Sequence, residues 1–276
     1  MPRSHPILAA AVVTVSAALA VSSPRSAPSH ARGGSPQSSV TEVQAKGLRC
    51  RSDTVSGVPY RVCELSPTQV NLRLYWKDSR GERIGSIAAL DRMLAARGQR
   101  LLFAMNAGMY DTTSRSAPVG LYVEAGHELV PLNTRDGCCN FYHKPNGVFY
   151  VARGRAAVVE TAEYRRSRVR PDIATQSGPL LVRRGRFPHG DYSPQGPTNA
   201  PRNAVGVRRD GTVLFVIVDG PTNMYTFRTA LRDHFGLRDA LYLDGHVSRF
   251  YVAPGDPPAD SEFGSMLAVV ASGTGS

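Results

Sequence analysis

Several apolar runs in this chain stop at a polar residue with glycine close behind: Asn106 with Gly108, Gln176 and Ser177 with Gly178, Asp219 with Gly220, and Asp244 with Gly245. A buried strand that ends in this way delivers a polar side chain to an edge or a cleft. Loops at the ends of stiff strands are also where scaffolds hold catalytic groups. Arg202 and Asn203, just before the apolar run that starts at Ala204, add a cation and an amide. A guanidinium's planar fork suits a phosphate, and glycine beside each polar group allows close approach to the backbone. A carboxylate near such a cation can steady developing positive charge or activate water beside an anion. On spacing alone Asp244-Gly245 is also a plain turn, opening a hairpin into residues 247–252. Asn106 and Asn203 equally suit turn-capping, and His246 is the histidine placed near the site.

Other chemistries lack their patterns. Ser177 sits in Thr175-Gln176-Ser177-Gly178-Pro179, without the first glycine of a hydrolase elbow, so a serine nucleophile is a weaker alternative. No glycine-rich phosphate loop or dinucleotide fingerprint occurs. His127, His143, His189 and His234 show no metal-ligand spacing, and no cofactor or metal is expected.

The elements that must position these residues are marked by caps and periodicity. Ser86 caps a helix whose buried stripe is Ile87, Leu90, Met93 and Leu94, and Gly98 stops it. Thr226 is expected to cap a second, with Phe227, Ala230, Leu231, His234 and Phe235 on one buried face and Gly236 as its stop. Each helix leads into an apolar strand, 101–105 and 240–243, which suggests a loose internal duplication. Around them lie about a dozen expected strands. These include hairpins across Ala125-Gly126-His127, Arg153-Gly154-Arg155 and Arg209-Asp210-Gly211, and a closing strand at 266–271. The expected fold class is α+β, a single domain with two or more helices packed on a mainly antiparallel sheet.

That domain is placed at 42–273. Residues 1–20 carry Arg3 and an apolar run from Ile7 onward, with Ala18-Leu19-Ala20 as a cleavage site. This pattern indicates a secretory signal peptide, with an uncleaved anchor as the alternative. Residues 21–41, rich in Ser, Pro, Ala, Gly and Arg, indicate a disordered linker. No later run is long enough to span a bilayer, so a secreted or periplasmic, extracellular protein is expected. Export permits disulfides. Cys50 and Cys63 flank a Ser56-Gly57 turn and are the first choice of pair, while Cys138 and Cys139 form a vicinal bridge, stay free or share out the first pair. The 276 residues carry a formal charge of +11, which attracts anionic envelope polymers. Arg165, Arg166, Arg168 and Arg170 form the one dense basic run. With a single aromatic neighbour, Tyr164, it indicates a solvated surface rather than a nucleic-acid interface.

Six segments in order, MNAGMY (Met105–Tyr110), NFYHKPNGVFY (Asn140–Tyr150), TQSGPLLV (Thr175–Val182), RNAVGV (Arg202–Val207), FVIVDGP (Phe215–Pro221) and ALYLDGHVSRFY (Ala240–Tyr251), resemble the phosphodiester glycosidase family, and its bacterial branch most. The resemblance implies hydrolysis of a sugar-1-phosphodiester to free sugar and a phosphomonoester, with a phosphorylated sugar or cell-envelope glycan as substrate. It places Asp244 and Asp219 as catalytic carboxylates and Arg202 on phosphate, with the Ser177 and Gly178 backbone assisting. Asn106, Gly108, Gln176, Asn203, Gly245 and His246 line the substrate. The family's enzymes tend to carry Asn-Gly-Gly where this chain has Asn106-Ala107-Gly108, and a glycine run where it has Gly245-His246-Val247. A non-catalytic surface protein that binds phosphate-bearing glycans through the same cleft is the alternative function.

Overall fold

In the computed structural model the described residues are 43–111, 113, 117–197, 200–218, 220–245, 247–262 and 264–272. The expected signal peptide and linker, together with Asp219 and His246, lie outside them.

Residues 39–276 form one compact unit dominated by antiparallel pairing. A seven-stranded sheet runs in the spatial order Val43–Ala45, Leu48–Val55, Val58–Leu65, Val213–Val218, Asn203–Val207, Asp239–Tyr242 and Leu180–Val182. A five-stranded sheet is ordered Arg155–Glu160, Gly147–Ala152, Ile173–Ser177, Tyr122–Glu124 and His127–Val130. A four-stranded sheet is ordered Phe250–Val252, Gln99–Asn106, Met266–Ser272 and Leu72–Tyr75. The hairpins form where expected. Ser56-Gly57, Ala125-Gly126 and Arg153-Gly154 each place two successive residues at positive φ, the conformation that matches strand twist in a two-residue loop.

Sheets dominate, with short helices on their outer faces, so the fold is more β-rich than the expected α+β balance. Helix Ile87–Ala95 begins as expected, the Ser86 hydroxyl accepting from the Ala89 N–H at 3.1 Å. Its Ile87, Leu90 and Leu94 pack on the four-stranded sheet with Leu101, Ala104, Met266 and Ala268. The second helix differs from expectation. It runs Met224–Thr229 from an Asn223 cap, whose side chain accepts from the Thr226 N–H at 2.7 Å, and continues as a π-helical turn over Ala230–His234. Its longer i→i+5 closure, Phe235 N–H to Ala230 O at 3.0 Å, rotates the following residues around the axis. His234, expected in the core, is therefore exposed, and it meets Asp53 at 3.0 Å. Phe227, Leu231 and Phe235 still pack on Tyr60, Val62, Val216 and Tyr242 of the seven-stranded sheet.

The largest core lies between the sheets and draws on all three, with Cys63, Phe215 and Leu241 from the seven-stranded one, Phe149 and Ile173 from the five-stranded one, and Phe103, Met105 and Leu267 from the four-stranded one. Phe103 and Phe149 stand 5.1 and 6.1 Å from Phe215, centroid to centroid. Burying each such ring contributes about 1.5–3 kcal/mol. Two features stiffen the 48–65 hairpin. Cys50 and Cys63, register partners, are joined by a disulfide, whereas Cys138 and Cys139 are exposed and free. Opening a loop of this size costs about 3 kcal/mol. Cys50→Ser with Cys63→Ser is therefore expected to lower stability by that amount in chemical denaturation.

Glu64, in the same hairpin, takes hydrogen bonds from Arg49 (3.0 Å), Arg51 (2.5 Å) and Arg208 (3.2 Å). Burial pushes its carboxyl up, but the Arg51 and Arg49 bonds and the Arg208 charge overcome that and hold it at about 2, against an ordinary 4.5. A depressed folded-state pKa adds stability above 4.5 and loses it as pH falls towards 2. Glu64→Gln is expected to cost about 2 kcal/mol at pH 7, once the full gap in pKa is discounted for solvent screening at the partly exposed arginines. The gap from the parent should close between pH 4.5 and 2 in acid-unfolding curves. The basic run at 165–170 is solvent-exposed at Arg165, Arg166, Arg168 and Arg170, as expected.

Candidate active site

Strand ends from all three sheets meet at one place. Asn106 ends Gln99–Asn106 of the four-stranded sheet, Ser177 ends Ile173–Ser177 of the five-stranded sheet, and Asn203 starts Asn203–Val207 of the seven-stranded sheet. Asp244 stands two residues beyond Asp239–Tyr242. Asp244-Gly245 is therefore no hairpin turn: Asp239–Tyr242 pairs with Asn203–Val207, while Phe250–Val252 pairs with Gln99–Asn106. The chain changes sheets there, and it does so again at Gly178-Pro179, between Ile173–Ser177 and Leu180–Val182.

Buried amides tie the ends together. Asn106 donates from Nδ2 to the Asp244 carbonyl at 3.1 Å, and its Oδ1 accepts from Asn203 Nδ2 at 2.7 Å and from the Arg249 N–H at 3.1 Å. The Ser177 hydroxyl donates to the Leu243 carbonyl at 3.1 Å. Asn106, Ser177 and Asn203 are 2 %, 0 % and 0 % exposed, so each fixes the Leu243–Asp244 backbone from within. For Ser177 this removes the nucleophile alternative, since its proton is engaged with a carbonyl and its oxygen is sealed from solvent. Asn203 Oδ1 is buried and has no hydrogen-bond partner among the described residues.

Gln176, expected on substrate, is occupied elsewhere. Its Oε1 accepts from the Leu121 and Asn133 N–H groups, each at 2.9 Å, and its Nε2 donates to Asn133 O at 2.7 Å and Thr161 Oγ1 at 3.2 Å. That is its whole hydrogen-bonding capacity. The glycines also serve packing. A Cβ on Gly108 would lie 2.4 Å from Gln176 O, on Gly178 2.7 Å from Phe141 O, and on Gly245 2.0 Å from the Tyr242 hydroxyl. The close approach they permit is to protein rather than to a ligand. Gly220, by contrast, faces open space.

The partly exposed groups here are Asp244, Arg202, Arg249 and Tyr110. Arg202 is oriented by Nε to Thr222 O at 3.2 Å and Nη1 to the Tyr242 hydroxyl at 3.3 Å. Burial raises the Tyr242 pKa; the Arg202 bond and charge oppose the rise, while the Asp244 carboxylate adds to it. Tyr110 is raised by burial first, then by Asp244. The Asp244 charge thus raises both tyrosines, and Tyr242 also takes the Arg202 hydrogen bond. Tyr110 also lines a groove of about 690 Å³ with Asn133, Thr134, Arg135 and Tyr142, whose wall Gln176 holds through Asn133. Tyr242, Tyr110 and Arg249 were not singled out by sequence, because a tyrosine in an apolar strand has the pattern of a core residue. Arg249 is fixed by Nη1 to Ser248 O at 2.8 Å and Nε to Ser261 Oγ at 2.5 Å.

Histidines that spacing leaves scattered also meet. His143 Nε2 lies 3.3 Å from Asp191 Oδ2, and the His143 and His189 rings are 4.2 Å apart. Burial, then the His143 charge, lowers the His189 pKa.

A family model described as phosphodiester glycosidase matches residues 99–272. The chain belongs to this family. A curated relative, "Uncharacterized protein YigE" of Escherichia coli (strain K12), is 34% identical over 194 residues, covering 70% of this chain and 74% of the relative. Among solved structures, the zebrafish N-acetylglucosamine-1-phosphodiester alpha-N-acetylglucosaminidase catalytic domain, auto-inhibited by its pro-peptide, superposes with a TM-score of 0.54 at 13% identity over 86% of this chain and 85% of that one. A hypothetical protein from Synechocystis gives 0.52 at 14% identity over 85% and 64%. At such identities the likeness to these structures shows the fold alone; the family rests on the family model over residues 99–272. No helix among its described residues is long and apolar enough to cross a membrane.

Proposed function

We propose that the protein is an exported glycosidase that hydrolyses a sugar-1-phosphodiester, releasing free sugar and leaving a phosphomonoester on the partner. The observation that carries this reading is the junction of three sheets, where the partly exposed Asp244 stands two residues beyond Tyr242, whose hydroxyl accepts from Arg202 at 3.3 Å. Family membership narrows the chemistry. The zebrafish structure is named for the corresponding reaction on N-acetylglucosamine-1-phosphodiesters.

Asp244 faces the anomeric carbon, where it steadies oxocarbenium-like charge or activates water. A phosphate monoester is a good leaving group, so protonating its departure matters less than for an ordinary glycoside. Arg202, with Arg249 as a second cation, holds the phosphate. Asp219 keeps its role as Asp244's partner and His246 its role in binding substrate, both from outside the described residues. Asn106, Ser177 and Asn203 act by positioning the Asp244 loop, and Gln176 by holding the groove. Export is supported by the Cys50–Cys63 disulfide and by the apolar N-terminal run, and residues 42–273 form the working domain.

The test is incubation with a sugar-1-phosphodiester while free sugar and phosphomonoester are measured. Stoichiometric appearance of both is expected. Saturable binding of the diester without release would leave a glycan-binding protein in place of an enzyme.

A further inference from the structure

His143, His189 and Asp191 come from two loops, 143–146 and 187–192, and one donor atom of each lies within 4.8 Å of the others. We propose that these three side chains form a binding site for a divalent metal ion of the zinc class. The 3.3 Å between His143 Nε2 and Asp191 Oδ2 is near the separation of about 3.4 Å that two donors acquire at tetrahedral angles around zinc.

The ring orientations agree. His189 Nε2 lies 3.3 Å from the Pro145 carbonyl. A carbonyl only accepts, so that nitrogen carries the proton of the neutral ring and Nδ1 carries the lone pair. His143 Nδ1 lies 3.2 Å from the Tyr192 hydroxyl, which can accept its proton and so leave Nε2, the atom beside Asp191, to bind an ion. Anchoring one ring nitrogen to protein so that the other binds metal is the usual arrangement around a ligating histidine.

The loop is also held in advance. Arg228, 4 % exposed, donates from Nη1 to His189 O at 2.5 Å and from Nη2 to Tyr192 O at 3.2 Å, with its guanidinium over the Phe187 and Tyr192 rings. His189 is itself 5 % exposed, so ordering it costs little when an ion arrives. Two imidazoles and one carboxylate suit zinc and its first-row neighbours, whereas calcium and magnesium want six or more oxygens. Three protein ligands leave a position for water or an anionic oxygen.

Titration calorimetry of tag-free, chelator-treated protein with zinc chloride tests the assignment. The parent for this test carries Cys138→Ser and Cys139→Ser, because adjacent exposed thiols would bind zinc themselves. One ion per chain is expected, with no saturable heat from magnesium. Asp191→Asn and His143→Ala, at positions that are not buried, are expected to weaken binding at least about 10-fold, and Tyr192→Phe by about 10-fold through loss of the ring anchor. Circular dichroism confirms that each variant keeps the parent fold. Absence of saturable zinc binding by the folded parent, or an affinity unchanged in both Asp191→Asn and His143→Ala, overturns the proposal.

Discussion

Asp244→Asn is expected to lower turnover of a sugar-1-phosphodiester by about a thousandfold while leaving substrate affinity within a few-fold. The amide is the same size, so the loop stays in place. The backbone carbonyl that Asn106 grips is unchanged. What disappears is the negative charge that the transition state uses and the ground state does not, and loss of that kind falls on kcat. Single preorganised charge or donor groups contribute about 10²–10³, and a carboxylate that also takes a proton from water adds to that. Steady-state kinetics with a binding measurement on the same variant separate the two parameters. Equal turnover by Asp244→Asn and the parent would remove Asp244 from the mechanism.

Asn106→Ala is expected to lower stability by about 4 kcal/mol and to abolish detectable turnover, though residue 106 is sealed from solvent. The truncation leaves the Asn203 amide and the Arg249 N–H unanswered in a sealed environment and frees the Asp244 carbonyl. Each orphaned buried group costs about 1–3 kcal/mol. Thermal and denaturant unfolding read the first effect. The second is read at low temperature, where the variant remains folded, as a fall in kcat that Asn106→Asp only partly restores. A stability loss near 1 kcal/mol would show that the three bonds do not act as one bracket.

Much of the scaffold was legible in sequence because it is local. Ser86 with its stripe, the Ser56-Gly57 and Arg153-Gly154 turns, and the Cys50–Cys63 pairing depend on neighbours a few residues away. The polar ends of apolar strands were legible too, and Asn106, Ser177, Asn203 and Asp244 do come together. Their division of labour was not, because burial decides it. Gln176 and Ser177 carry the same pattern as Asp244, yet they are sealed inside and hydrogen-bonded to the protein. The helix starts one turn earlier than expected, from Asn223 in place of Thr226, and the exposed His234 arises from a π-helical turn that no periodicity announces. The His143–His189–Asp191 group was hidden for a simpler reason: its members lie on loops far apart in sequence.

Because the presumptive working parts stand where three separately paired sheets abut, none of them is in position until every sheet has docked. The newly made chain is thus inert by construction. A half-assembled chain brings none of these residues together, and the site arrives only with the last seam to close.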